Sequence, residues 1–213
     1  MRMRKKKNGA ARMELCRELL VEAPENNKGN WNAYFQNDHS LHLEIGCGKG
    51  GFITTLAAMN PAINYVAIER YHDALLLALE KAMEQKLPNL RFIRVDGAKL
   101  EESFAKGEIN RIYLKFSDPW PKARHAKRRL TSPGFLALYR ALLHENGKIV
   151  FKTDNQPLFH YSLETFRETD WRLEHITFDL HNSPLNENNI MTEYEKTFSE
   201  KGFPIHQLEA YPV

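Results

Sequence analysis

Cysteine is almost missing from this sequence: Cys16 and Cys47 are the only two among 213 residues. They form no C-x-x-C pair, and no His/Cys cluster has the spacing of metal ligands. That excludes a disulfide framework and a structural zinc site, and it fits a reducing, cytoplasmic setting with no bound metal. Long apolar runs are missing too. Nothing approaches the ~18 consecutive residues of a membrane span. The basic N-terminus leads into Arg12, Glu14, Arg17 and Glu18 instead of the apolar core of an export signal, so neither export nor a membrane partner is expected. An excess of one sign of charge is missing as well. Against 30 Lys+Arg stand 27 Asp+Glu, a net charge of only +3, so any affinity for nucleic acid must come from local patches. There is no internal repeat. The length suits one well-cored α/β domain and is short for two. We expect a basic arm and short helix over residues 1–30 and a single domain over 31–213.

What is present is organised around Leu41 to Gly51, Leu-His-Leu-Glu-Ile-Gly-Cys-Gly-Lys-Gly-Gly. Leu41, Leu43 and Ile45 predict a buried strand, and Phe52 to Met59 a helix packed on a sheet. Gly46, Gly48 and Gly51 between them fit G-x-G-x-x-G, the first unit of a Rossmann-like nucleotide site. There the backbone turns without a Cβ, a ligand approaches closely, and N–H groups of the new helix face it. By itself the glycine pattern also describes a plain tight turn. Two acids sharpen it. Glu69 ends the next strand, Ile63 to Ile68, where a carboxylate can accept both hydroxyls of a ribose. Glu44 makes the run Glu-x-Gly-x-Gly-x-Gly with Gly46, Gly48 and Gly50.

The remaining elements follow in order. Arg2, Arg4, Lys5, Lys6, Lys7 and Arg12 make the first twelve residues too polar to order unaided, either a solvated tail or an arm that closes on RNA phosphates. Met13 to Val21 predicts a short amphipathic helix and Pro24 to Gly29 a loop. Tyr71 to Lys86 carries Ala74, Leu75, Ala78, Leu79 and Ala82 at helical spacing. Leu90 to Val95 alternates as a third strand and delivers Asp96, placed either to accept from an adenine amino group or to cap the short helix that follows. Later come strands at Ile109 to Phe116, Gly147 to Thr153, Trp171 to Leu180 and Ile205 to Tyr211. Ser132 caps a helix opened by Pro133, with an apolar face running to Leu143. Pro157 to Glu168 is a further helix, His181 to Ile190 a polar surface loop, and Thr192 to Lys201 a last helix.

The fourth strand runs into Ser117-Asp118-Pro119-Trp120-Pro121, then Lys122, Arg124, His125, Lys127, Arg128 and Arg129. Two prolines flanking Trp120 stiffen a loop at the carboxyl end of the sheet, where α/β folds place ligands. Five of the eight residues from Lys122 to Arg129 are basic, which suits phosphate binding.

On these residues the chain resembles the bacterial tRNA (guanine-N7)-methyltransferases, class I S-adenosylmethionine (SAM) enzymes, over essentially its whole length. The distinctive stretches are Ser117 to Arg129 and Thr192-Glu193-Tyr194-Glu195. The resemblance implies an α/β, Rossmann-like fold: a seven-stranded, mostly parallel sheet with the last strand antiparallel and helices on both faces. It implies SAM as methyl donor, a guanine of the tRNA variable loop as target, and a monomer or homodimer. It carries cofactor binding onto Glu44, Gly46, Gly48, Gly50, Glu69, Asp96 and Asp118, and catalysis onto Asp118. Guanine contacts fall on Lys122, Asp154, Thr192, Glu193, Tyr194 and Glu195, and RNA contacts on Arg124, His125, Lys127, Arg128 and Arg129.

Guanine N7 carries a lone pair and no proton, so such an enzyme needs placement more than a general base. Asp118 would stabilise charge developing on the purine, and Glu193 or Glu195 would accept from N1–H and the 2-amino group. Thr192-x-x-Glu195 is equally a capping box. Lys122 suits O6 or a phosphate. Two other classes share some of these features: an NAD-dependent oxidoreductase would use the glycine turn and Glu69 but leave the basic loop unexplained, and a non-catalytic RNA-binding protein would leave the strand-end acids unexplained.

Overall fold

The computed structural model describes residues 8–213; Arg2, Arg4, Lys5, Lys6 and Lys7 of the expected basic arm lie outside the described residues. Seven strands form one sheet in the order β3-β2-β1-β4-β5-β7-β6, with β7 antiparallel to both its neighbours. The chain divides into two units, one ending at Ala105 and one spanning Lys106–Val213.

In the first unit β1 (Leu41–Ile45), β2 (Asn64–Ile68) and β3 (Leu90–Ile93) are parallel. Every residue of β1 and β2 is buried, His42 and Glu44 included, so the apolar-polar alternation of Leu41–Ile45 marks no solvent-facing side. The register sets Ile45 beside Ile68 and Ile68 beside Ile93. Gly46 and Glu69 therefore leave the sheet at one carboxyl edge. Helix α3 (Gly51–Met59) follows β1, and α4 (His72–Gln85) buries Ala74, Leu75, Leu76, Ala78, Leu79 and Ala82 as its spacing predicts. In the lead-in to β1, α2 (Trp31–Phe35) buries Trp31 completely. Its indole stacks at 5.4 Å on Phe104, which follows the short helix α5 (Leu100–Ser103), and donates to the Ser103 carbonyl at 3.0 Å.

The N-terminal helix departs from expectation. It is α1 (Gly9–Leu15), ended at Cys16, with a 3-10 turn at Arg17–Leu19. Residues 20 and 21 are extended because they dress the edge of β3: the Val21 N–H donates to the Phe92 carbonyl at 2.8 Å. A bidentate Arg12–Glu80 pair, both contacts 2.7 Å, ties α1 to α4.

In the second unit β4 (Ile109–Lys115) and β5 (Leu143–Thr153) are parallel, and β7 (His206–Pro212) lies between β5 and β6 (Trp171–Thr177). Helix α6 (Pro133–Leu142) ends earlier than its apolar face suggested, and β5 begins four residues before Gly147 because Leu143 pairs with Ile109. The Ser132 hydroxyl donates to the Lys127 carbonyl at 3.2 Å and makes no cap bond. Asn155 does cap α7 (Gln156–Glu168), accepting from the Leu158 N–H at 2.9 Å. Strand β6 stops short of Leu180 after a register shift between Glu174 and Thr177, with His175 at φ +49°. The His181–Ile190 stretch contains a 3-10 turn at Pro184–Asn188, and α8 (Glu193–Ser199) closes before Gly202. Among the described residues no helix is long and apolar enough to cross a membrane.

Gly50 shows how packing constrains the glycine loop. At φ +75°, its added Cβ would lie 2.7 Å from the Ala78 Cβ and 2.9 Å from the Ala78 Cα on α4. Gly50→Ala should therefore combine a left-handed penalty with overpacking and cost roughly 1–3 kcal/mol. The expected result is a lower urea midpoint at unchanged slope; a wild-type midpoint would show that α3 and α4 can part without cost.

Candidate active site

The glycine loop is stapled to the strand beside it. The Gly46 and Cys47 N–H groups both donate to the Ile68 carbonyl, at 2.9 and 3.0 Å, and the Gly50 N–H donates to Cys47 at 2.9 Å. The Gly48 N–H donates to Glu69 Oε2 at 3.0 Å, and the Tyr71 N–H to Glu69 Oε1 at 2.8 Å. Four loop amides thus serve the protein itself, and none of these four is left for a ligand phosphate. Gly46 at φ +79° and Gly48 at φ +56° have nothing within 4 Å of where a Cβ would stand. An incoming ligand can press directly on this backbone, with the Glu69 carboxylate at its side.

Glu69 is buried, and burial pushes its carboxyl up; the Tyr71, Gly48 and Arg70 amides and the Arg70 charge pull it back only in part. A carboxylate has room for about four hydrogen bonds, so these amides leave capacity for a ribose hydroxyl. Glu44 is 2% exposed in β1, opposite Ala67 in the register. Burial, with Glu44 and Glu69 adding to it, pushes the Cys47 thiol well up. Cys47 is a protonated packing residue, not a nucleophile. Asp96 is exposed and caps the 3-10 turn Gly97–Lys99 by accepting from the Ala98 N–H at 3.0 Å, with Arg70 3.9 Å from its other oxygen.

In the second unit β4 and β5 end side by side, Lys115 paired with Lys152. Asp118 and Asp154 follow those ends. The loop after β4 is backbone-strained: Phe116 sits at φ +52° and Trp120 at φ +42°. A non-glycine residue at positive φ is uncommon, and one directly before proline more so. The basic run continues as a 3-10 stretch, Ala123–Arg128. Lys122, Arg124 and Lys127 are exposed. The others turn back onto the loop: Arg128 lies 4.9 Å over the Trp120 ring, His125 meets that ring edge-on at 5.6 Å, and Arg129 donates to the carbonyls of Pro119 and Trp120, both at 3.1 Å.

Helix α8 brings its own residues to the same strand ends. Tyr194 stacks on Phe198 at 4.2 Å and contacts Phe116 at 5.1 Å, and its hydroxyl donates to Asp154 at 3.5 Å. Burial, then Asp154 and Asp118, push the phenol up to about 12, so it remains a donor at neutral pH. Glu193 is exposed.

Glu195 is placed differently from a base-reading residue. It is fully buried, and its carboxylate accepts from Lys152 Nζ, His181 Nε2 and Asn189 Nδ2, each at 2.8 Å, and from the Thr192 N–H at 3.4 Å. With the Thr192 hydroxyl accepting from the Glu195 N–H at 2.8 Å, the capping box is complete. Burial alone would raise this carboxyl; the Lys152 charge and hydrogen bonds from Lys152, His181 and Asn189 outweigh it and hold the group below its ordinary value. The geometry therefore gives Glu195 to the anchoring of α8 and not to a guanine edge.

Sequence reading missed Lys152, His181 and Asn189. Lys152 had a signal, since a charge inside an apolar strand demands a buried counter-ion. Asn189 and His181 had none, because a polar Asn-rich stretch reads as solvated.

A family model described as "Putative methyltransferase" matches residues 38–208. A tRNA (guanine-N(7)-)-methyltransferase of Listeria innocua serovar 6a is 52% identical over 210 residues, covering 99% of this chain and 98% of the relative. One from a Geobacillus species is 50% identical over 213 residues, covering 100% and 96%. Among solved structures, an antibiotic-related methyltransferase matches with a TM-score of 0.61 at 14% identity, over 85% of this chain and 91% of the other. An rRNA methylase from Streptococcus thermophilus matches at 0.55 and 13%, over 100% and 99%. At those identities the structural matches speak to the fold. The curated relatives go further, and on them the chain belongs to the tRNA (guanine-N7)-methyltransferase family.

Proposed function

We propose that this protein transfers a methyl group from SAM to N7 of a guanine in the variable loop of tRNA, acting in the cytoplasm. The observation that carries the donor assignment is the open backbone at Gly46 and Gly48 beside the Glu69 carboxylate, with the loop amides already bonded. SAM has a ribose and no phosphate, so it needs acids and close approach more than amide donors. NAD would need donors for its pyrophosphate. Glu69 would hold the ribose hydroxyls, Asp96 the adenine amino group, and Glu44 the cationic end of the donor.

SAM held there would supply an electrophilic sulfonium methyl to the N7 lone pair, the C–S electron pair staying on sulfur, so that the products would be a neutral thioether and a cationic purine. No proton moves. The protein's task is placement and charge. Asp118 would offset the positive charge that develops on the purine. The protonated Tyr194 hydroxyl fixes Asp154, and Glu193 would accept from guanine N1–H and the 2-amino group, adjacent donors that adenine lacks. Thr192 and Glu195 act through the helix they cap. Lys122 would meet O6 or a phosphate, and Arg124 and Lys127 the backbone phosphates.

Asp118→Asn keeps the side-chain shape and removes the charge. It should slow single-turnover methylation of a tRNA transcript, at saturating SAM, on the order of 10² to 10³-fold. The product is mapped by the base-labile strand break that N7 methylation creates. A wild-type product methylated elsewhere would refute the site, and a wild-type rate for Asp118→Asn would refute the role.

Glu195→Gln tests the anchor. The folded carboxyl titrates below the ordinary value of 4.5, so its contribution is full above the unfolded pKa and is lost as pH falls through the folded one. At neutral pH the variant should lose about 3–5 kcal/mol, because the Lys152 ammonium is left buried without its anion. It should also lack the wild-type loss of stability below pH 4.5. A neutral-pH stability equal to wild type would mean that α8 is held by other contacts.

A further inference from the structure

Within the basic run Arg129 stands apart. Its Nε donates to the Pro119 carbonyl and one terminal nitrogen to the Trp120 carbonyl, both at 3.1 Å. Its guanidinium lies 4.2 Å over the Tyr161 ring on α7. The residue is half-buried, unlike the exposed Lys122, Arg124 and Lys127. The two carbonyls it grips belong to the residues immediately after Asp118, in a loop where Phe116 and Trp120 both hold positive φ. Such a conformation persists only where surrounding contacts over-determine it. Here those contacts are the Arg129 fork, Arg128 over the Trp120 ring and His125 at its edge.

We infer that Arg129 is a positioning residue for Asp118 and not a phosphate contact. A planar fork spans two successive carbonyls and stacks on an aromatic face, whereas an ammonium offers a point charge and no plane. Charge at position 129 is therefore insufficient, and the guanidinium shape is required. The kinetic part of this inference rests on the function proposed above; the structural part does not.

Two substitutions separate the alternatives. Arg129→Lys keeps the charge and loses the fork. It should slow single-turnover methylation by about 10- to 100-fold, the scale of a misplaced group. It should also speed tryptic cleavage after Lys122 and Arg124 at an unchanged urea midpoint. Arg129→Met removes the charge and should leave the slope of log tRNA affinity against log salt unaltered. Loss of one phosphate contact would instead lower that slope by roughly 0.7 to 0.9. Wild-type rate and cleavage in Arg129→Lys, or a lowered slope in Arg129→Met, would overturn the inference. If neither Arg129 variant folds, Tyr161→Leu removes the ring beneath the guanidinium, and faster cleavage after Lys122 supports the clamp while unchanged cleavage refutes it. Should the wild type methylate no guanine, the proposed function falls, and the cleavage rates alone decide the clamp.

Discussion

A strand buried up to its carboxyl end presents its chemistry to a ligand just past that end, and this constraint shapes both units of the protein. Neither β1 nor β2 has an exposed residue, so the first unit offers a ligand the residues just past Ile45 and Ile68: the open glycines and Glu69. In the second unit β4 is buried from Ile112 to Lys115 and β5 from Ile149 to Thr153, and Asp118 and Asp154 lie just beyond. Acids at strand ends cost less than acids in the core, because water or a ligand can complete their hydrogen bonds.

Two kinds of glycine share one loop. Gly50 is glycine because Ala78 leaves no room for a Cβ, while Gly46 and Gly48 face open space. One is a packing requirement, and the other two keep a surface clear for a ligand. The second unit solves a comparable problem with charge. Lys152 and Glu195 are 1% and 0% exposed, and such a pair is tolerated only when further hydrogen bonds satisfy it. His181, Asn189 and the Thr192 N–H supply them, so a short helix beginning at Glu193 acquires a fixed address that brings its Tyr194 to Asp154.

Much of the fold was legible in the sequence where the determinants are local. The strand Leu41–Ile45, the glycine turn and α4 announce themselves by apolar residues at every second position, by glycine spacing and by helical period, and each matches to within a residue or two. The departures arise where a distant partner decides. Residues 20 and 21 are extended because Phe92 offers a carbonyl, and β5 starts at Leu143 because Ile109 pairs with it. The candidate residues divide in the same way. Glu69 and the glycines follow from order along the chain. The inward turn of Arg129 depends on carbonyls nine and ten residues back, and the burial of Glu195 depends on a lysine 43 residues away. Neither distance has a signature in local composition, so a basic run and an acidic motif read as ligand contacts when part of each holds the fold.

Glu69 is the residue on which the proposed donor binding depends most. Calorimetric titration of wild type and Glu69→Gln with SAM, NAD and tRNA addresses this directly. The wild type should bind SAM and not NAD. Glu69→Gln should weaken SAM at least about tenfold, the loss of one charge-assisted hydrogen bond at 1.4 kcal/mol per decade, with tRNA affinity unchanged. Equal affinity of wild type and Glu69→Gln for SAM, or NAD binding as tight as SAM, would contradict it.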